Sequence, residues 1–417
     1  MLMMTINHLT CSICGRTYAP DSVQYCCPAD GGNLTVHLAF EDQPELVDRE
    51  SILGSPDRSI WRYAPLLPVA DPGFAGTPLH RVGGTPVYEV PGIRRSLGMP
   101  KLWVKDESPN PSASFKDRAS AIVIAAAISR GEKLTVAAST GNAGAAMACM
   151  AAATGQKCLI LAPRTAPPAK VAQLLSFGAQ VVLVDGSYDD AFELSLQATE
   201  AFGWYNRNTG FNYLTAEGKK TAAFEIWEFF LHRNEAEVED LNIFIPVGDG
   251  NILTGIWKGF KDLLALGWIE RLPRLIGVQA EGSAAIANAY AQGAAVIEAV
   301  RSTTLADSIS VDLPRDGLRA LHAVRESGGE YITVSDAEIL AAIPSLGSAG
   351  IFAEPAAAAA FAGLRKALQS GYNPAQPSLV MVTGSGLKDV RAATQAVSQA
   401  PTIAPTLAAL KEVTKHA

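Results

Sequence analysis

LTVAASTGNAGAAMACMAAATGQKCLILAP, residues 134–163, reads as an apolar strand, a glycine-rich turn, an alanine-rich helix and a second apolar strand. Two strands joined through a helix cannot form a hairpin, so they are predicted to run parallel through a crossover. The same alternation extends in both directions. Upstream, KLWVKDE (101–107) reads as a strand and DRASAIVIAAAISRG (117–131) as a helix. Downstream come the helix VAQLLSFG (171–178) and the strand QVVLVDG (180–186). NIFIPVG (242–248), RLIGVQA (274–280) and SLVMVTG (378–384) add three more apolar strands. Short apolar runs separated by helices mean parallel sheets in an α/β protein. AEPAAAAAFAG (353–363) is alanine-rich and reads as a strong helix former.

The length of 417 residues suits two packed domains and an appendage. The expected division is a zinc-ribbon-like module at 1–35, a linker or extension at 36–83, a large domain from 84–133 with 226–417, and a small α/β domain at 134–225. Hydrophobic residues make up 48% and charged residues 18%, the balance of an ordinary globular protein. A net charge of −7 argues against a general nucleic-acid surface. No apolar run reaches the roughly 18 residues of a membrane span, and the N-terminus lacks the pattern of a signal peptide. A soluble, cytoplasmic protein is expected. Four of the six cysteines fall within the first 27 residues, which points to metal rather than disulfides in such a chain. Cys149 and Cys158, in apolar surroundings, are expected to be buried structural thiols.

Four segments carry the chemistry. NPSASFKDRAS (110–120) is a turn leading into a helix, with Lys116 near its start. The positive end of a helix and partial burial both push a lysine toward the neutral amine that attacks an aldehyde. STGNAG (139–144) follows an apolar strand; its glycines allow close backbone approach and Asn142 offers a donor and an acceptor. PVGDGNILTG (246–255) would present backbone N–H groups to a phosphate at a helix start, although the carboxylate of Asp249 must then point away. VTGSGLKD (382–389) ends a strand in Thr383 and Ser385. A lone lysine or a single glycine turn is usually structural. An amine, an amide, a phosphate cradle and a hydroxyl in this order suit one cofactor that needs all four.

The order SFKDR, STGN, PVGDGN and TGSGLKD resembles the β-family, or fold type II, of pyridoxal-phosphate (PLP) enzymes, and within it the threonine synthase family most closely. The resemblance covers essentially the whole chain, including the cysteine-bearing N-terminus. It implies a two-domain, tryptophan synthase β-like α/β fold and a PLP-binding large domain. Lys116 would carry the cofactor as a Schiff base and act as the catalytic residue. Asn142 would meet the ring hydroxyl, Thr383 the pyridine nitrogen, and Gly248, Asp249, Gly250, Asn251 and Ile252 the cofactor phosphate. Ser112, Ser114, Ser139, Thr140, Asn208, Thr209 and Lys219 are the expected substrate contacts. The implied reaction converts O-phospho-L-homoserine and water to L-threonine and phosphate, in a homodimer.

The chain departs from that pattern in three places. Ala143 follows Asn142 where the family often has threonine. In NTGFNYLTAEGKKTAAFE (208–225), Thr215 stands where the family carries an arginine that grips the substrate phosphate. LADSIS (305–310) is similar to a segment of serine and threonine dehydratases, with Asp307 placed to meet a substrate group or to cap a turn. Related activities therefore stay open: an ammonia-lyase acting on threonine, serine or diaminopropionate, or a cysteate synthase-like replacement. Near the N-terminus, Cys11-Ser-Ile-Cys14 is one knuckle of a zinc ribbon, and Cys26-Cys27-Pro-Ala-Asp30 an irregular second one. Cys11, Cys14, Cys26 and Cys27 are the expected ligands of a structural zinc. Three thiolates with the Asp30 carboxylate, or no metal, remain alternatives.

Overall fold

The computed structural model describes residues 4–414. Its strands are β1 (Ile6–Cys11), β2 (Thr17–Tyr18), β3 (Leu34–Leu38), β4 (Val87–Glu89), β5 (Leu102–Asp106), β6 (Leu134–Ala138), β7 (Lys157–Pro163), β8 (Gln180–Val184), β9 (Tyr205–Asn206), β10 (Asn242–Pro246), β11 (Arg274–Ala280), β12 (Glu330–Val334) and β13 (Ser378–Val382). They form three sheets: β2-β1-β3, β12-β11-β10-β13-β5-β4 and β8-β7-β6-β9. The small sheet is parallel throughout. The large one is parallel except where β4 meets β5. The fold type II architecture expected from the sequence is therefore present, with every strand predicted at 101–186 and 242–384 in place.

Burial explains which segments became strands. β5, β10 and β13 are buried along their whole length, as continuous apolar runs in a parallel sheet should be. The helix Lys116–Ser129 is apolar on nearly every side and packs between the helices Asn142–Thr154 and Leu214–Lys219. Cys149 and Cys158 are buried and free. Among the described residues no helix is long and apolar enough to cross a membrane.

Two expected boundaries fall inside elements. β3 crosses residue 35, because it supplies the outer pairing of β1 and so completes the N-terminal sheet. The helix Thr221–Phe230 continues through 225/226, where a domain junction was expected. The stretch 36–83 wraps onto the body, with Trp61, Tyr63, Leu66, Leu67 and Leu79 buried in the main core.

The segments picked out for chemistry lie at C-terminal ends of parallel strands. β5 leads to the turn before Lys116, β6 to Asn142, β10 to Gly248–Asn251 and β13 to Thr383. In open α/β sheets that edge is where ligands bind.

Candidate active site and metal cluster

Lys116 opens its helix where the turn 110–115 is tied to the end of β13. Phe115 N–H donates to Thr383 O at 2.9 Å, and Ser385 N–H to Ala113 O at 3.1 Å. Ala113 pays for this turn with a left-handed φ of 63°, unusual for a residue with a Cβ. The Lys116 side chain is half-buried and makes no hydrogen bond or ion pair. Burial lowers its pKa; Asp249 and Glu354 oppose that shift, and Arg207 reinforces it. The result is an amine biased toward its neutral, nucleophilic form.

The glycine loop after β10 is held open by geometry. Gly250 has φ of 90°, and a Cβ there would lie 2.7 Å from Asp316 O. Only glycine meets both conditions. Asp249 resolves the conflict raised by its charge: its Oδ1 accepts the Arg315 N–H at 3.2 Å, and burial raises its pKa. Asn251 is buried at the start of the helix Asn251–Ala265, accepting from Lys219 Nζ and donating to Asp316 Oδ2 at 2.6 Å. Ile252 is half-buried, and Thr383 is buried.

The expected substrate contacts divide. Thr140 lines a cavity of about 310 Å³, Ser139 is half-buried beside it, and Ser114 Oγ is buried without a partner. Lys219 is fully buried, and burial holds its pKa well below the usual lysine value. Two expectations are corrected. Ser112 is bound to Asp117 through both its N–H, at 2.6 Å, and its Oγ, at 2.5 Å. Asn208 braces the small sheet, accepting from Ala138 N–H at 2.8 Å and donating to Ser195 Oγ at 2.7 Å. Both side chains are thus engaged within the fold. Thr209 Oγ1 accepts from Arg207 at 2.7 Å.

The cavity also shows what the motifs missed. Glu354, the N-cap of the helix Pro355–Gln369, faces it together with Asn142, Lys388, Lys170 and Asp307. Asn142 donates to Glu354 Oε1 at 2.8 Å and to Ser308 Oγ at 3.3 Å. Asp307 pairs with Lys170 across the cleft. Burial pushes the Glu354 carboxyl up from 4.5 to about 7, with Lys116 and Lys388 pulling the other way. Between those values the folded state keeps a proton that the unfolded chain releases. Stability from this group is therefore lost as pH rises through the window, by roughly 3 kcal/mol in total. Glu354→Gln removes the effect: the wild-type advantage in unfolding free energy should shrink by about that amount from about pH 5 to about pH 8. A difference that stays constant with pH contradicts this.

The family described as pyridoxal-phosphate dependent enzymes matches residues 79–384, well over half of the chain. A threonine synthase of Methanocaldococcus jannaschii is 35% identical over 97% of this chain and 99% of its own length. One from Methanosarcina acetivorans is 36% identical over 97% of this chain and 98% of its own. The chain belongs to the threonine synthase family. It is a PLP-dependent enzyme, a lyase. Solved structures show the same fold at lower identity: tomato threonine deaminase isoform 2 (Solanum lycopersicum) superposes with a TM-score of 0.65 at 21% identity, covering 86% of this chain and 88% of its own. Maize serine racemase gives 0.63 at 23%, covering 72% and 88%.

The site suits the cofactor of the threonine synthase family. Burial lowers the pKa of Lys116, Lys219 and Arg207; Arg207 adds to the shift of Lys116, Lys116 and Arg207 add to that of Lys219, and Asp249 opposes all three. Burial makes each of these groups costly to charge, a cost that an anionic ligand beside them would offset.

In the N-terminal sheet, the ligand atoms of Cys11, Cys14, Cys27 and Asp30 lie within 4.8 Å of one another. The expected four-thiolate set is corrected, since Cys26 points away and its Sγ donates to Phe211 O at 3.4 Å. The reason is a repeated turn. Cys11-x-x-Cys14-Gly15 closes with Gly15 N–H to Cys11 O at 3.1 Å, and Cys27-x-x-Asp30-Gly31 closes with Gly31 N–H to Cys27 O at 2.9 Å. Both glycines take a left-handed φ, 68° and 72°. The second turn puts positions 27 and 30 where the first puts 11 and 14. Cys26, one residue before the turn, faces the opposite side.

Proposed function

We propose that the protein converts O-phospho-L-homoserine and water to L-threonine and phosphate, with Lys116 as the residue that holds PLP. The observation that carries this reading is a half-buried amine at a helix start, without a hydrogen-bond or ion-pair partner among the described residues, electrostatically coupled to Asp249 of the glycine loop. Identity of 35–36% to threonine synthases over nearly the full chain supports the substrate. When bound, the cofactor supplies an electron sink for charge developing on the substrate carbons. Gly248, Gly250 and Asn251 would hold its phosphate at the start of the helix Asn251–Ala265, Asn142 its ring hydroxyl and Thr383 its ring nitrogen. A hydroxyl at that nitrogen, unlike a carboxylate, does not favour its protonation. Lys116, neutral when released, takes and returns protons at the substrate carbons. Ser114, Ser139 and Thr140 orient the substrate. A cytoplasmic homodimer, each chain with a large cofactor-binding domain around the six-stranded sheet and a small domain around the four-stranded one, is the assembly we infer.

One observation favours a second reading. Thr215 is fully buried and its hydroxyl donates to Asn212 O at 2.8 Å, so it offers nothing to a substrate phosphate. An ammonia-lyase acting on threonine, serine or diaminopropionate would need no such contact. Incubation with O-phosphohomoserine should release phosphate and threonine in equal amounts. Release of 2-oxo acid and ammonia from threonine, serine or diaminopropionate, with no phosphate released from O-phosphohomoserine, transfers the assignment to the lyase.

We also propose that Cys11, Cys14, Cys27 and Asp30 bind one structural zinc, three thiolates and a carboxylate making up the four donors of a tetrahedral site. Metal analysis of the purified protein should find about one zinc per chain. Cys14→Ser should lose it, whereas Cys26→Ser should keep it. Equal loss from both variants contradicts the assigned ligands.

A further inference from the structure

The proposed reaction leaves the substrate phosphate without the arginine that Thr215 displaces, and the structure supplies another. Arg207 follows β9 directly, with its backbone N–H on Val136 O at 2.9 Å. β9 pairs in parallel with β6, whose end carries Ser139, Thr140 and Asn142. Arg207 therefore emerges at the ligand-binding edge of the small sheet, beside the expected substrate contacts. Its side chain is only 1% exposed. Nε donates to Ser120 Oγ at 3.2 Å and Nη1 to Thr209 Oγ1 at 2.7 Å. Nη2 is buried and has no partner. Among the described residues no carboxylate pairs with this guanidinium.

An unmet, buried guanidinium N–H is costly, and the cost is recovered when a ligand oxygen takes it. We propose that the free Nη2 edge of Arg207 binds the phosphate of the substrate, a phosphomonoester dianion, in the role vacated at Thr215. This rests on the reaction proposed above. The cofactor phosphate is the other anion of the site, but its cradle at Gly248–Asn251 closes β10 in the large sheet. Arg207 stands on the small sheet with Ser139 and Thr140. Burial holds its pKa down to about 10, against the charges of Tyr188, Asp117 and Asp249, which agrees with a cation awaiting its anion.

The test uses the holoenzyme and its Arg207→Gln and Arg207→Lys variants. Arg207→Gln should raise KM for O-phosphohomoserine, and the inhibition constant of inorganic phosphate, by about 10- to 100-fold, the range for one charged hydrogen bond. Cofactor absorbance should be retained. Arg207→Lys should fall between the two, because it keeps the charge and loses the fork. Unchanged KM and phosphate inhibition in either folded variant overturn the proposal. Loss of the cofactor with ordinary phosphate inhibition in the reloaded enzyme overturns it too, placing Arg207 on the cofactor phosphate. Phosphate titration of the cofactor absorbance separates this inference from the reaction. If the wild type does not turn over O-phosphohomoserine, a phosphate response present in the wild type and lost in Arg207→Gln still supports the anion site. A response retained in the variant overturns it.

Discussion

Lys116→Ala is expected to give a folded, colourless protein whose turnover falls by at least about 10³-fold. The side chain makes no hydrogen bond and no ion pair, so its loss removes no structural contact beyond packing. Unfolding free energy should change by less than about 1 kcal/mol, as for substitutions away from built networks. What disappears is the covalent hold on the cofactor and the base released at the substrate carbons. Absorbance after gel filtration, with and without added PLP, reads the first loss; a single-turnover assay reads the second. A variant that keeps the bound chromophore and more than about a tenth of its activity would move the role to another amine, Lys219 being an electrostatic neighbour of Lys116.

Arg118→Ala should destabilise the fold by about 3–5 kcal/mol, the cost of leaving a buried ion pair half made. Arg118 is fully buried and donates to Glu107 Oε2 at 2.7 Å and Oε1 at 2.9 Å, and to both Glu225 oxygens at 2.7 Å. Lys105 reaches Glu225 at 2.7 Å and Glu107 at 3.5 Å, so two cations balance two acids. Burial disfavours the charge on Arg118, yet Glu107 and Glu225 more than offset it and raise its pKa. Without the arginine, one buried lysine faces two buried carboxylates. The cluster also joins β5 and the helix Thr221–Phe230 to the helix that begins at Lys116. Loosening it should weaken cofactor retention as well as stability. Denaturant unfolding measures the first effect; a loss below about 1 kcal/mol would show that the cluster is replaceable by water.

Sequence patterning was most informative where burial was complete. The segment 134–163 was legible because both of its strands are nearly all buried and its helix is bounded by glycine turns. β12 (EYITV) went unread because four of its five residues are only half-buried, at the edge of the large sheet. β9 is two residues long, too short to leave a period. In 36–83, short turns of helix put Trp61 and Tyr63 in the core without any repeating pattern.

Site residues followed a similar rule. Lys116, Asn142 and the glycine loop announce themselves through residue types that need special backbone geometry. Glu354 was hidden in an alanine-rich stretch that reads simply as helix; its one signal was an acid placed just before a proline at a helix start. Asn208 looked like a ligand contact because asparagine bonds readily to anything, and here its oxygen bonds β6 and its nitrogen the helix Tyr188–Phe202. Arg207 gave no signal at all, since an unpartnered guanidinium is visible only once its neighbours are placed. For the proposed metal cluster the alternative with Asp30 was legible: CxxCG and CxxDG share one spacing, and that spacing leaves Cys26 outside.

The most direct measurement is borohydride reduction of the purified holoenzyme followed by peptide mapping. Reduction converts a lysine-bound cofactor into a stable adduct on its nitrogen, independent of any substrate. The label should fall on the peptide containing Ser114–Arg118, at Lys116, with about one cofactor per chain. Label on Lys219 or Lys388, or none on Lys116, would contradict the assignment of the amine on which the proposed chemistry depends.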